Sequence, residues 1–131
     1  MESKHFARLS KVAGYQTLEL THYGRKSGKP YKVAIWYLVE AGRLYLVSAN
    51  SARNWVRNVM VRPKVSVGIG GETFMGEVRR IEDREERDHV VELAESKYWW
   101  AAPIIWLGQA LASAGLIDDR SAAFEVVISE G

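Results

Sequence analysis

A short loop in the first quarter of the chain carries residue types that bind anions. Residues 24–30 read GRKSGKP and lie between two segments whose apolar residues alternate. Glycines allow successive backbone N–H groups to turn toward one point, and such a concavity stabilises an anion. Arg25 adds a planar pair of donors and Lys26 a point charge, each charge-assisted hydrogen bond being worth roughly 1.5–3 kcal/mol. Together with Lys29 and Lys32 they predict a site for a phosphate or a polyanionic ligand; a solvated hairpin turn is the alternative interpretation.

The composition is that of a globular protein with one domain, which we predict to span residues 1–131. The chain is 47% hydrophobic and 26% charged, and its net charge of +2 is too small to indicate a nucleic-acid or membrane partner. It has no cysteine, which excludes disulfides, thiol catalysis and cysteine-ligated metals and makes a reducing cytoplasm the expected location. Its three histidines lack the spacing of metal ligands, so no metal site is predicted.

Alternating patterns predict a mostly antiparallel sheet. Short turns at residues 41–42 and 70–71 join neighbouring strands, and long crossover connections are few. This arrangement favours an α+β fold in which about six strands form a small antiparallel barrel and the helices pack outside it. The segment 31–39 is apolar on both faces beyond Lys32 and is expected to be buried on both sides. The predicted strands are residues 17–23, 31–39, 44–48, 65–69, 73–81 and 123–128.

Two helices are predicted between the strands. The first, over residues 50–60, has an apolar stripe and a polar face on which Asn54 and Asn58 lie one turn apart. The second opens at Asp83, which has Glu86 three residues later in the pattern of a capping box. The first of these helices therefore presents polar side chains that could border a site.

A long apolar segment follows the second helix. From Trp99 to Ile117 only Gln109 and Ser113 are polar. The length meets the minimum for a membrane span, but one proline, two glycines and many alanines weaken that interpretation. We expect a buried helix, a dimer surface or an apolar lid instead, with no integral span and with peripheral contact to a membrane left open.

Three segments together resemble the deazaflavin-dependent nitroreductase family, a branch of the flavin-binding split β-barrel superfamily. They are the loop with its preceding strand (residues 20–28), the end of the third strand (residues 46–49), and a Trp-x-x-Asn helix followed by a proline and a strand (residues 54–65). The resemblance spans about residues 18–82. It implies a split β-barrel fold that binds coenzyme F420, a deazaflavin with a phosphate and an oligoglutamate tail, with FMN as the alternative cofactor found in relatives.

The resemblance also implies roles for individual residues. Arg25, Lys26 and Ser27 would hold the phosphate and tail, and Arg53 would substitute for a lysine in a segment that is shorter here. The end of the third strand and the helix after it would border the ring. The cofactor-binding residues expected from the resemblance are Arg25, Lys26, Ser27, Gly28, Ser48, Ala49, Asn50, Arg53, Asn54, Trp55 and Asn58.

The expected function is hydride transfer between F420 and a small, apolar or quinone-like acceptor. The aromatic segment 98–106 differs from the family's substrate-covering segment, which argues against nitroimidazole reduction, and Tyr98 or a bound water would supply a proton. A homodimer is expected from the resemblance and from the apolar segment 99–117. The alternatives are an FMN-binding flavoprotein and a non-catalytic binder of F420, flavin, haem or lipid; a nucleic-acid module using Tyr31 and Trp36 is disfavoured by the nearly neutral charge.

Overall fold

The computed structural model of the protein describes residues 6–48, 54–98 and 122–129. The predicted site residues Ala49, Asn50 and Arg53 and the apolar segment 99–117 lie outside these ranges. In chain order the elements are α1 (Phe6–Lys11), β1 (Leu18–Tyr23), β2 (Pro30–Ile35), β3 (Tyr37–Glu40), β4 (Arg43–Ser48), α2 (Asn54–Val61), β5 (Lys64–Ile69), β6 (Glu72–Arg80), α3 (Arg84–Lys97) and β7 (Ala122–Ile128).

The strands form one antiparallel sheet in the order β2-β1-β5-β6-β7-β4-β3. The two edge strands, β2 and β3, follow each other in the chain with only Trp36 between them. Because one residue cannot span a flat seven-stranded sheet, the sheet must curl until its two edges approach each other. This curled antiparallel sheet is the split-barrel architecture, and the predicted fold class is confirmed.

The strand predicted over residues 31–39 is the main difference from the sequence analysis. It is broken at Trp36, whose carbonyl oxygen accepts a long hydrogen bond of 3.5 Å from the Val47 N–H, so the sheet has seven strands rather than six. The expectation that both its faces are buried is wrong for β2, where only Ile35 is buried. The other edge strand, β3, differs because α3 packs on it, and its Tyr37 and Leu38 are buried on opposite faces.

The main core fills the inside of the curled sheet. Large side chains from every strand meet there, and Leu9 and Val12 from the N-terminal end of the chain close one side. A second, smaller cluster lies on the outer face, where α3 covers β3, β4 and β7. Helix α1 was not predicted, because two buried residues in one short helix give too weak a periodic pattern.

Local signals fixed the turns and the start of α3 as predicted. Ala41 and Gly42 have φ angles of 52° and 75°, the left-handed pair that a two-residue hairpin requires. Asp83 accepts a hydrogen bond of 3.2 Å from the Glu86 N–H and so caps α3. The carboxylate of Glu86 contacts Arg79 at 3.3 Å.

Candidate functional site

The basic loop joins β1 to β2 and is closed by its own backbone. The Gly24 N–H donates to the Lys29 carbonyl at 2.9 Å, and the Gly28 N–H donates to the Gly24 carbonyl at 2.8 Å. Gly28 has a φ of 73°, a conformation that other residues adopt at a cost, which explains the glycine. Within residues 6–48, 54–98 and 122–129, the backbone N–H groups of Lys26 and Ser27 donate to no protein acceptor. Two donors therefore remain for a ligand or solvent.

Helix α2 holds this loop through Asn58. The Asn58 side chain is buried, and its Oδ1 accepts hydrogen bonds from the Arg25 backbone N–H at 3.1 Å and from Arg25 Nη1 at 2.8 Å. Its Nδ2 lies 3.1 Å from His22 Nδ1 on β1. One carboxamide thus joins the loop, the first strand and the helix, and it brings Arg25 and Asn58, two of the residues that the resemblance assigns to the cofactor, into contact.

His22 lies beneath this contact, on β1 two residues before the loop. It is 5% exposed, and its ring stacks on Tyr31, its cross-strand partner, with a centroid distance of 5.8 Å. Burial lowers the pKa of His22. A neutral imidazole therefore lies next to the cationic loop.

These groups line an open cleft of about 490 Å³ between the loop and the start of α2. Five of the predicted cofactor-binding residues line it, and none of the described lining residues is acidic. Gly28 lies in the loop beside it, where the position of a Cβ atom would be 3.8 Å from the Arg62 guanidinium carbon. The lining residues are His22, Gly24, Arg25, Lys26, Ser27, Tyr31, Asn54 and Asn58.

Two predicted residues lie elsewhere. Trp55 is buried in the core, where its ring meets Phe124 edge-on at 5.4 Å, and it does not line the cleft. Ser48 is the last residue of β4, opposite Ala122. Lys32, counted with the loop cations, lies on β2, where its ammonium group is 3.7 Å from the Glu19 carboxylate.

Tyr98, the predicted proton donor, is not among the residues that line the cleft. It is 1% exposed, its hydroxyl donates to the Gln16 carbonyl at 2.6 Å, and it accepts from the Tyr37 N–H at 3.1 Å. Its ring stacks on Trp36 at 4.2 Å, and burial raises the pKa of Tyr98. These contacts give Tyr98 a structural role at the break between β2 and β3.

Sequence reasoning did not assign Tyr31 or Arg62 to the site. The strand register could have indicated Tyr31, because it pairs directly with His22. Arg62 follows α2 and was visible only as part of a family pattern. In the described part of the chain, no three His, Asp or Glu side chains come together as metal ligands. None of the helices in those ranges is long and apolar enough to cross a bilayer.

Comparison with solved structures confirms the fold. A conserved hypothetical protein from Mycobacterium tuberculosis superimposes with a TM-score of 0.71 at 19% identity, over 99% of this chain and 82% of that one. An F420-H2 dependent reductase gives a TM-score of 0.64 at 26% identity, over 85% of this chain and 93% of that one. A domain-swapped dimer gives 0.66 at 25% identity, over 92% of both chains. No curated protein sequence matches the chain.

The family assignment comes from the sequence itself. The model of the F420H(2)-dependent quinone reductase family matches residues 4–100, which include the basic loop, all of α2 and every described residue of the cleft. Members of this family are oxidoreductases that use coenzyme F420. The chain therefore belongs to the F420H(2)-dependent quinone reductase family and is an F420-dependent oxidoreductase.

Proposed function

We propose that this enzyme binds F420 across the cleft, with the phosphate and acidic tail of the cofactor at the basic loop, and transfers hydride to a small quinone-like acceptor. The observation that carries the proposal is the double hydrogen bond from Arg25 to Asn58. It fixes the loop against α2, so that the remaining donors of Arg25 and the N–H groups of Lys26 and Ser27 border one cleft.

The charge of this region supports an anionic ligand. From residue 20 to residue 71 the only acidic residue is Glu40, although the whole chain carries nearly equal numbers of acidic and basic residues. Arg62 adds a guanidinium behind Gly28. A phosphate placed at the loop would meet charge-assisted donors, each contributing roughly 1.5–3 kcal/mol.

The ring of the cofactor is proposed to lie beside Asn54 and the end of β4. Asn54 and Tyr31 both line the cleft. Ser48, Ala49 and Asn50 keep the ring-bordering roles that the resemblance implies, and Arg53 keeps its role in place of the family's lysine. We assign Trp55 an indirect role, because its packing on Phe124 supports α2 from the core.

The bound deazaflavin supplies the hydride, and the protein's part is to hold it, expose one face and exclude water. The name of the family and the apolar, aromatic sequence of residues 98–106 favour a quinone as the acceptor over a nitroimidazole. Because the Tyr98 hydroxyl is buried against backbone groups, we assign the accompanying proton to solvent.

Two titrations and one turnover assay test this proposal. Quenching of cofactor fluorescence should show tighter binding of F420 than of FMN. With reduced F420 supplied, a water-soluble naphthoquinone should be reduced faster than a nitroimidazole at equal concentration. Preference for FMN would overturn the assignment of the cleft, and reduction of the nitroimidazole alone would overturn the acceptor.

We also infer that two copies of the chain associate. The domain-swapped dimer with the same fold supports this, as does the apolar composition of residues 99–117. Light scattering at micromolar concentration should give twice the mass of the 14.8 kDa chain. A monomeric mass would contradict the inference.

A further inference from the structure

The hydrogen bonds around Asn58 fix the orientation of its carboxamide. An arginine side chain and a backbone N–H can only donate, and both groups of Arg25 lie within 3.1 Å of the same Asn58 atom. That atom must therefore be the oxygen. The amide nitrogen is then directed to His22 Nδ1, 3.1 Å away.

This orientation determines the tautomer of His22. The Asn58 amide nitrogen carries only donors, so His22 Nδ1 must be the acceptor and must be unprotonated. A neutral imidazole has one N–H group, which then lies on Nε2. The lowered pKa of His22, caused by burial, is consistent with this neutral form.

The Nε2–H group is left over. His22 is 5% exposed and lines the cleft, and within residues 6–48, 54–98 and 122–129 no acceptor lies within hydrogen-bond distance of Nε2. A buried N–H without a partner costs roughly 1–3 kcal/mol, and most such groups in proteins find one. A ligand in the cleft would supply the missing acceptor.

We infer that His22 is a further cofactor-binding residue, whose Nε2–H donates a hydrogen bond to a phosphate oxygen of bound F420. A phosphate is favoured over the ring as the acceptor. Asn58 holds Arg25 with its oxygen and His22 with its nitrogen, so the Arg25 guanidinium and the His22 Nε2–H border the same part of the cleft. A phosphate can accept from several donors at once. Stacking on Tyr31 holds the imidazole in place. The assignment of the ligand rests on the proposed function; the tautomer does not.

The tautomer is tested on the free protein by ¹⁵N NMR with labelled histidine. At a pH where imidazoles are neutral, the signal that disappears in His22→Gln should show a protonated Nε2 and an unprotonated Nδ1. Asn58→Asp should move the proton to Nδ1, because a carboxylate beside Nδ1 can only accept. A protonated Nδ1 in the wild-type protein would overturn the inference.

The contact with phosphate is tested by binding. His22→Phe should weaken F420 roughly tenfold, the effect of one lost hydrogen bond. It should leave unchanged the affinity for the same deazaflavin without phosphate and tail, and His22→Gln, which keeps an N–H donor, should retain most F420 affinity. Equal losses for both ligands would contradict the phosphate contact. If His22→Phe binds F420 normally while Arg25→Ala does not, the contact with His22 is overturned and the proposed function stands. If both variants bind F420 normally, the contact with His22 and the proposed function are both overturned.

Discussion

Asn58 on α2 and Arg25 in the β1–β2 loop are joined by two hydrogen bonds to one oxygen atom, of 3.1 and 2.8 Å. The two residues are 33 positions apart in the chain, so the loop takes its place only when the helix has packed on the sheet. The hydrogen bonds between Asn58 and Arg25 therefore act as a clamp that holds the loop on α2. The conformation of the site depends on the packing of Trp55 and Val59, which are buried on the apolar face of the same helix.

Removing the clamp should affect both folding and binding. Asn58→Ala would leave the Arg25 N–H without its acceptor and His22 without its donor, at a cost of roughly 1–3 kcal/mol in the free energy of unfolding. The matched control is Asn54→Ala, one turn earlier and exposed, which should change stability by less than about 0.5 kcal/mol. Urea unfolding measures both, and equal effects in the two variants would contradict the clamp.

The left-handed conformation of Gly28 gives a second test. Gly28 has a φ of 73° and Gly71 a φ of 87°, and neither position lacks space for a Cβ atom. Alanine at either position should therefore cost roughly 1–2 kcal/mol of stability from backbone strain alone. Only Gly28→Ala should also weaken F420, because only that glycine lies in the basic loop. Titration of the two variants with F420 tests this prediction. Equal affinities of Gly28→Ala and Gly71→Ala for F420 would show that the conformation of the loop does not affect binding.

The role of Tyr98 can be separated from catalysis. Tyr98→Phe removes a donor to the Gln16 carbonyl and an acceptor for the Tyr37 N–H, both buried, and should destabilise the fold by roughly 1–3 kcal/mol. Because Tyr98 does not line the cleft, kcat at a temperature well below unfolding should stay close to that of the wild type. A large fall in kcat with unchanged stability would restore the proton-donor hypothesis.

Lys97 and Tyr37, which lie beside Tyr98, predict how the stability of the fold depends on alkaline pH. Lys97 Nζ lies 3.6 Å from the centre of the Tyr37 ring, and burial lowers the pKa of Lys97 from 10.5 to about 8. Between these values the unfolded chain binds a proton that the folded chain has lost, so stability should rise with pH across this window. Urea midpoints measured across it should show the rise, and Lys97→Met should flatten it; a fall in the wild-type protein would contradict the burial of this amine.

Above this window the sign reverses. Burial raises the pKa of Tyr37 from 10.0 to about 12, with a smaller contribution from Tyr98. The unfolded chain therefore loses the phenolic proton first, and stability should fall as pH rises from 10.0 to about 12. Tyr37→Phe should reduce this fall, which the same urea series would record.

Features that depend on neighbouring residues were predictable from the sequence, and features that depend on distant ones were not. The turn at Ala41-Gly42 and the cap at Asp83 need only a few adjacent residues, and both were predicted correctly. The break at Trp36 follows from closure of the whole sheet, which pairs β2 with β1 and β3 with β4. No local pattern shows that closure.

The site shows the same division. The loop could be recognised from the types of its residues, because clustered cations and glycines are typical of an anion-binding site. The contact between Asn58 and His22 crosses 36 positions, and the burial of Tyr98 depends on Gln16, 82 positions away. A tyrosine in an aromatic segment looks the same in sequence whether its hydroxyl faces a substrate or a backbone carbonyl.

Whether the basic loop holds the anionic part of F420 is decided by a fluorescence titration of two double variants. Arg25→Ala combined with Lys26→Ala removes two charges that line the cleft, while Lys32→Ala combined with Lys64→Ala removes two exposed charges that do not. Fluorescence titration with F420 should show binding weakened more than roughly tenfold in the first pair and within about twofold of wild type in the second. Unchanged affinity in the first pair, or equal losses in both, would contradict this role of the loop.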